Sequence, residues 1–493
     1  MYTDNDLKKE GIQTMNDRII DNFLSLAAIP RKSHHEEAVS RFLHGWAESK
    51  GLSVCRDEAG NVIIDKPGTS GHENAPRTIL QAHMDMVCVA EPGRAYDPLK
   101  DPIKVIHNGK TLTADGTSLG GDDGAGVAIA MSILEDREAV HGPVRAIFTV
   151  DEEDGMNGAN ALDERHLDAR YVINLDWEAF GSLCCSSAGS DMYALRRAAK
   201  WEPVSDSAFF TLTLNGFEGG HSGAQIHLGR ANAIRVAAQI LRQAAQKADA
   251  ELRVCAFKGG SAHNAVPSSS EAVAAVDNAH ADAFLEAAGH EIDMELEKCG
   301  MTDPHAVITI VRTEATDQAL GAAMSRDVLS ILTEVHDGVN TWSKSIPGLV
   351  ESSANTGLAE LKPDCFEFVI HQRSSEPEIT EAMKKVFLSQ AKEYGFTLEI
   401  LSSGPAWPVK PDSELVKLCE EEFMKLFGED IRVEPVHAGL ECGAWANKNP
   451  ALDIISIGPD ILDIHSPKET LILESVYNCD KLVRAMLRRI ADQ

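Results

Sequence analysis

Apolar runs of strand length recur along the first 185 or so residues, each separated by a stretch of helical periodicity. Strands are predicted at NVIID (61–65), RTILQAHMD (77–85), VRAIFTVD (144–151) and ARYVINLD (169–176). Between them, 35-HEEAVSRFLHGWAES-49 reads as an amphipathic helix and 124-GAGVAIAMSILEDR-137 as an Ala-rich one. This alternation predicts an α/β layer with a mostly parallel sheet. In such sheets ligands bind beyond the carboxyl ends of the strands. Three of the four runs end in polar clusters (HMD, DEED and NLD), which points to one shared edge carrying a site. A charge run such as DEED is ordinarily solvated surface. Its repetition at neighbouring strand ends favours a site instead.

From about residue 190 to about 405 the texture changes. Strand-like FFTLTLNG, LRVCAF, AVITIVRT and CFEFVIHQR alternate with helices such as 229-GRANAIRVAAQILRQAAQKAD-249. This reads as an α+β domain inserted into the first. The Pro- and Gly-rich 403-SGPAWPVKP-411 marks the return, with Trp407 as a hinge anchor. A helix around 413–427, a strand at 452–458 and a helix at 474–491 follow. The expected division is 1–189 for the first part of a three-layer α/β catalytic domain, 190–404 for the insert and 405–493 for the second part.

Composition narrows the function. The 493 residues are 43% hydrophobic, enough for packed cores in roughly two to three domains. With 46 basic against 76 acidic residues the net charge is −30. That charge repels phosphate backbones and anionic lipid, so nucleic acid and membrane are excluded as expected partners. It does not oppose metal cations. The opening MYTDNDLKKEG lacks the basic start and apolar core of a secretory signal, and no apolar run approaches the about 18 residues of a membrane helix. Ten scattered cysteines with no CxxC pair, the adjacent Cys184–Cys185 included, fit a reduced, cytoplasmic chain. Any metal must then take His, Asp and Glu ligands.

The candidate chemistry sits in a few residues. On a strand His83 and Asp85 share one face, so the carboxylate can orient the imidazole. Asp122 lies in the Gly-rich turn 119-LGGDDGAG-126, where backbone can approach closely. Glu152 and Glu153 are neighbours that must point apart, so one can bind metal while the other faces a water. Asp176 and His465 complete the set. His34, His72, His107 and His166 sit in polar segments and read as surface.

Nine stretches, in chain order, resemble the co-catalytic zinc aminopeptidase/carboxypeptidase superfamily, and within it the aminoacyl-histidine dipeptidases (peptidase D, Xaa-His dipeptidase). They are IPRKSHHEE (29–37), HMDMV (83–87), LGGDDGAG (119–126), DEEDGMNGA (151–159), NLDWE (174–178), GGHSG (219–223), GGSAHNAVP (259–267), HAGLECG (437–443) and HSPKE (465–469). The resemblance implies two Zn²⁺ bridged by Asp122, with His83 and Asp176 on one ion and Glu153 and His465 on the other. Mn²⁺ or Co²⁺ are accepted by the same donors. Glu152 would be the general base, taking a proton from the attacking water and passing it to the leaving amine. Asp85 would hold His83, and His221 would polarise the scissile carbonyl. Asn264 and Arg373 would hold the substrate carboxylate, and Gly439 and Glu441 would line the pocket. The implied substrate is a small dipeptide, preferentially Xaa-His such as β-alanyl-histidine.

One departure stands out. Relatives commonly carry Asp-Asn where this chain has Asp122–Asp123, and the added carboxylate would raise local proton affinity or attract a cation. The family's cis peptide would fall at that bond. The insert, far longer than a simple lid, suggests two lid units in tandem. The second would imitate a neighbouring subunit's lid, so monomer and homodimer are both compatible, as is His221 acting from its own chain or a partner's. The competing readings are an N-acyl-amino-acid amidohydrolase or broad aminopeptidase on the same scaffold, a catalytically silent binding relative, and a two-metal phosphoesterase. The silent reading requires loss of Glu152 or a ligand, and all are present. The phosphoesterase lacks a clustered Arg/Lys phosphate site.

Overall fold

The runs TILQAH, VRAIFT and YVIN have no exposed position, and they form the middle of an eight-stranded sheet. Strands buried on both faces read as unbroken apolar runs rather than alternations. In this computed structural model, which describes residues 15–344, 346 and 348–493, the sheet runs Ser53–Arg56, Val62–Lys66, Val144–Thr149, Thr78–His83, Tyr171–Asn174, Asp453–Ser456, Ser182–Ser187 and Arg432–Val436. The opening segment read for a targeting signal lies outside the described residues. The four strands from Val144–Thr149 to Asp453–Ser456 are mutually parallel, Val62–Lys66 is antiparallel to Val144–Thr149 and to Ser53–Arg56, and Ser182–Ser187 is antiparallel to Asp453–Ser456. The sheet is therefore parallel at its centre, with antiparallel pairings where Val62–Lys66 and Ser182–Ser187 join it.

Helices Met15–Ala27, Gly121–Glu135, Leu473–Ala491 and Glu414–Phe427 pack in a chain, with Gly121–Glu135 on the Thr78–His83 strand and Glu414–Phe427 on Asp453–Ser456. Glu414–Phe427 shows why such segments are helical and why they stop. Ser413 accepts from the Val416 N–H at 3.0 Å, and Gly428 at φ +76 ends the helix in a left-handed residue. A smaller four-stranded sheet joins Val105–His107 and Thr111–Ala114 to the hairpin Ile461–Leu462/Thr470–Ile472, whose loop carries His465 and Glu469.

The chain divides into two compact units. One comprises 1–187, 407–435 and 440–493, the other 188–406 and 436–439. Sequence boundaries at 189/190 and 404/405 differ by two residues at each crossing, and they do not separate Val436–Gly439. Outgoing and returning chain pair where the first unit ends and resumes, through Ser187 N to Trp407 O and Trp407 N to Ser187 O, both 3.0 Å. Trp407 is buried there.

The second unit is built on a nine-stranded sheet in the order Val307–Arg312, Ser207–Asn215, Ser270–Asp277, Leu252–Gly259, Val350–Leu361, Cys365–Ser374, Gly189–Ala198 and Thr397–Gly404, with Gly338–Trp342 also on Val350–Leu361. Helix Ala233–Lys247 packs on Ser207–Asn215, Ser270–Asp277, Leu252–Gly259 and Val350–Leu361, Ala281–Cys299 on Val307–Arg312 and Ser270–Asp277, and Pro377–Glu393 on Cys365–Ser374, Gly189–Ala198 and Thr397–Gly404. Among the described residues, the first four strands pair with the rest of the sheet through Lys258↔Glu360 and Gly259↔Ala359. The helix Ala233–Lys247 starts at Asn232, whose side chain accepts from Ile234 N at 3.0 Å and Arg235 N at 3.4 Å. All ten cysteines are free thiols. Among the described residues no helix is long and apolar enough to cross a membrane.

Candidate metal centre

Three parallel, adjacent strands end at the same sheet edge, and each end delivers a donor. His83 is the last residue of Thr78–His83, Glu152 and Glu153 follow Val144–Thr149, and Asp176 follows Tyr171–Asn174. His83 Nε2 lies 2.9 Å from Asp122 Oδ1 and 3.4 Å from Asp176 Oδ1. His465 Nε2 lies 3.1 Å from Asp122 Oδ2 and 2.9 Å from Glu153 Oε2. Asp122 thus gives one oxygen to each histidine, and each histidine has a second carboxylate beside it. Asp85 falls two residues past the strand's end, yet its Oδ1 is 3.5 Å from His83 Nδ1. The extended course persists there, because Met84 N donates to Thr149 O at 2.8 Å.

The Asp122 turn is held from two sides. Glu469 accepts from the N–H groups of Leu119, Gly120, Gly121 and Asp122 at 2.7, 2.9, 2.7 and 3.2 Å. A carboxylate is well suited to such a nest at a helix start. Buried Arg31 donates to the carbonyls of Met84 at 3.1 Å, Asp85 at 2.9 Å and Gly120 at 2.5 Å. Gly120 has φ +70, and a Cβ there would sit 2.3 Å from Arg31 Nη2, so the turn requires glycine on both counts. The Asp122–Asp123 peptide is cis, as the resemblance implies. The extra carboxylate has a structural partner: Asp123 Oδ1 accepts from Gly126 N at 3.0 Å, a bond an Asn carbonyl would also make. Its Oδ2 is buried with no hydrogen-bond partner.

The acidic run divides by neighbour. Asp85 accepts from Glu152 N at 3.1 Å, Glu153 N at 3.3 Å and Ser33 Oγ at 2.8 Å, tying the His83 partner to the loop carrying both glutamates. Asp151 is buried and takes the Asn157 amide. Asp154 is exposed and meets His34.

Electrostatics favour a cation. Burial alone would push the Asp122 carboxyl up, but hydrogen bonds from His465 and His83 outweigh it and hold it below its usual range. Burial would likewise lower both imidazoles. Asp176, Asp122 and Asp85 instead keep His83 well above its usual range, and Asp122 with Glu153 carry His465 to about 11. Burial drives Asp176 up to about 7, Glu178 up to about 8, and Glu152 and Asp123 well above the carboxylate range. So many carboxylates crowded out of water are stabilised by added positive charge. Donor atoms of His83, Asp122 and Glu153 lie within 4.8 Å of one another, and this His/Asp/Glu set is suited to zinc, manganese or cobalt. The residues present fit a divalent metal.

Glu441 is fully buried beside this centre. Its Oε2 accepts from Thr149 Oγ1 at 2.8 Å and from the Gln81 amide, and burial pushes it up to about 8. Gly439 falls in the second unit with His221, Asn264 and Arg373. There the His221 and Asn264 loops are joined by Ser222 N to Asn264 O at 2.8 Å and a bridge between His221 and Ala265. His221 Nδ1 accepts from Gly223 N at 3.2 Å and Ala224 N at 2.9 Å, which leaves Nε2 to carry the ring proton. Arg373 is 6% exposed, its Nε has no hydrogen-bond partner, and burial lowers it to about 10. Burial and then Arg373 hold His371 well below its usual range and His437 at about 3. His437 Nε2 is 2.7 Å from Ser353 Oγ.

Residue patterns did not single out Arg31, Ser33, Glu178 or Glu469. All four lie inside stretches that carry the resemblance, which was the available signal. None announces its partner by spacing, because Arg31 and Glu469 act on backbone far away in sequence.

The model of peptidase family M20/M25/M40 matches residues 79–489. The cytosol non-specific dipeptidase of Escherichia coli (strain K12) is 34% identical over 472 residues, covering 95% of this chain and 97% of that protein. The crystal structure of the aminoacylhistidine dipeptidase from Vibrio alginolyticus superposes with a TM-score of 0.85 at 30% identity, covering 98% of this chain and 99% of that one. Aminopeptidase PepT from Bacillus cereus ATCC 10987 shares the fold, with a TM-score of 0.56 at 18% identity and coverage of 97% and 100%.

Proposed function

The chain belongs to peptidase family M20/M25/M40, and on that premise we propose that it is a two-metal dipeptidase that prefers Xaa-His dipeptides. The observation that carries the reading is Asp122, whose two oxygens face two different histidines, each with a further carboxylate. In this reading His83 and Asp176 would hold one ion and Glu153 and His465 the other, with Asp122 contributing to both. Zn²⁺ is the proposed metal, with Mn²⁺ or Co²⁺ as substitutes. When bound, the pair supplies Lewis acidity and a more acidic water.

The chain's own groups do the rest. Glu152 takes a proton from the attacking water and delivers it to the leaving nitrogen, and its burial supports proton affinity suited to both transfers. Asp85 holds His83 at its far nitrogen and fixes the Glu152–Glu153 backbone. His221, with its proton on Nε2, is a donor for the developing oxyanion. Arg373, buried with an unpartnered Nε, offers a fork for the substrate's terminal carboxylate, and Asn264 adds an amide. Gly439 and Glu441 shape the pocket. The length of the insert and the narrow seam between its two strand groups support tandem lid units. A cytoplasmic location is supported by the free thiols and by the name of the Escherichia coli relative.

Hydrolysis of β-Ala-His, Gly-His, Leu-Leu and an N-acetyl amino acid by metal-loaded protein tests the substrate class. We expect the two Xaa-His dipeptides to have the highest kcat/KM and the N-acetyl compound to resist. Equal rates on Leu-Leu would replace the preference with a non-specific dipeptidase. Cleavage confined to the N-acetyl compound would make the protein an amidohydrolase.

A further inference from the structure

The segment 31–36 grips the acidic loop from its outer side. His34 Nδ1 lies 3.3 Å from Asp151 Oδ1, and its Nε2 lies 2.8 Å from Asp154 Oδ2. These two acids bracket Glu152 and Glu153. The backbone adds a second hold: Glu36 Oε1 accepts from His34 N at 2.8 Å and from Asp151 N at 3.1 Å. His34 at φ +68 and Asp151 at φ +55 both occupy the left-handed region, which such residues adopt at a cost. The shared Glu36 acceptor and the His34–Asp151 ion pair hold both conformations. Ligand atoms of buried Glu36, Asp85 and Asp151 lie within 4.8 Å of one another, with the His34 ring beside Asp151 and the His83 ring beside Asp85.

We infer that His34 is a positioning residue, whose imidazole, held between Asp151 and Asp154, aims Glu152 and Glu153. The inference rests on the proposed roles of those two glutamates. The polar segment around His34 predicts a surface residue. It is half exposed but engaged at both ring nitrogens. Nε2 is hydrogen-bonded to Asp154 and Nδ1 lies within ion-pair distance of Asp151, and a carboxylate beside each nitrogen favours the imidazolium form. Asp154, then Asp151 and Glu36, raise its pKa, so the clamp is complete below that raised value and is lost as pH rises through it. A solvent-facing pair of this kind contributes little to stability. Its effect lies in placement, where an error near 1 Å at a catalytic group costs up to about a hundredfold.

The test compares His34→Ala, Asp154→Ala and the double variant with wild type. All are fully metal-loaded, on a dipeptide that wild type hydrolyses. We expect near-unchanged unfolding midpoints, kcat lowered about tenfold or more in His34→Ala, and KM within about twofold. The double variant should be no slower than His34→Ala, because the two residues act as one unit. The wild-type to His34→Ala ratio of kcat should be largest near neutral pH and shrink as pH rises. A kcat within about twofold of wild type, multiplicative losses, or a ratio flat with pH would each overturn the inference. If His34→Ala fails to fold, Asp154→Ala carries the test, and an unchanged kcat there overturns it equally. A Glu152→Gln variant that keeps the full rate instead overturns the base assignment, and the His34 inference with it.

Discussion

Replacing Glu152 by Gln is expected to lower kcat by about two to four orders of magnitude, the range general-base removal typically produces, with KM and bound metal nearly unchanged. The substitution keeps the shape of the side chain and removes only its capacity to accept and return a proton. The surroundings tolerate the change, because burial already disfavours the charged carboxylate. The backbone N–H of residue 152 still donates to Asp85, so the loop keeps its anchor. Steady-state kinetics beside metal analysis separate the outcomes. A loss in kcat with intact metal identifies a proton carrier, whereas a loss of metal would make Glu152 a ligand.

Replacing Asp122 by Ala is expected to abolish measurable activity and weaken metal binding by at least about a hundredfold, the upper end of what even a ligand's supporting partner costs. This carboxylate is shared, so both histidines lose a neighbour at once. Binding should also depend on pH in a definite direction. In the metal-free protein, neighbouring carboxylates keep His83 well above its usual range and His465 at about 11, so both hold protons at neutral pH. Ligation needs neutral imidazole, so metal uptake releases protons and apparent affinity rises with pH. Competition with a coloured chelator at several pH values measures both effects. An Asp122→Ala protein that binds metal as wild type does would remove the bridging role.

How far these residues are legible in the chain depends on how local their signals are. The central strands are plain because burial on both faces writes them as TILQAH, VRAIFT and YVIN. His83, Glu152, Glu153 and Asp176 are legible because parallel strands put their carboxyl ends on one edge. The outer strand Ser53–Arg56 is half exposed, and Thr397–Gly404 is mostly exposed, so neither carries an apolar run. The latter runs into the stretch read as a break at 403–411. Glu469 illustrates a different barrier. Its importance comes from four backbone N–H groups about 350 positions away, and no side-chain pattern encodes a backbone partner. His34 sits in a polar segment and looks like solvent-facing surface until the fold brings Asp151 and Asp154 to it. The brief excursion of Val436–Gly439 into the second unit is invisible in a motif that continues unbroken to Gly443.

The most direct test of the central claim is the rate of Gly-His hydrolysis by protein stripped of metal and then titrated with Zn²⁺. If His83, Asp122, Glu153, Asp176 and His465 hold a catalytic pair, the stripped protein is inactive and the rate returns, saturating near two equivalents. Undiminished hydrolysis by the stripped protein, or none at any Zn²⁺, Mn²⁺ or Co²⁺ loading, would contradict it.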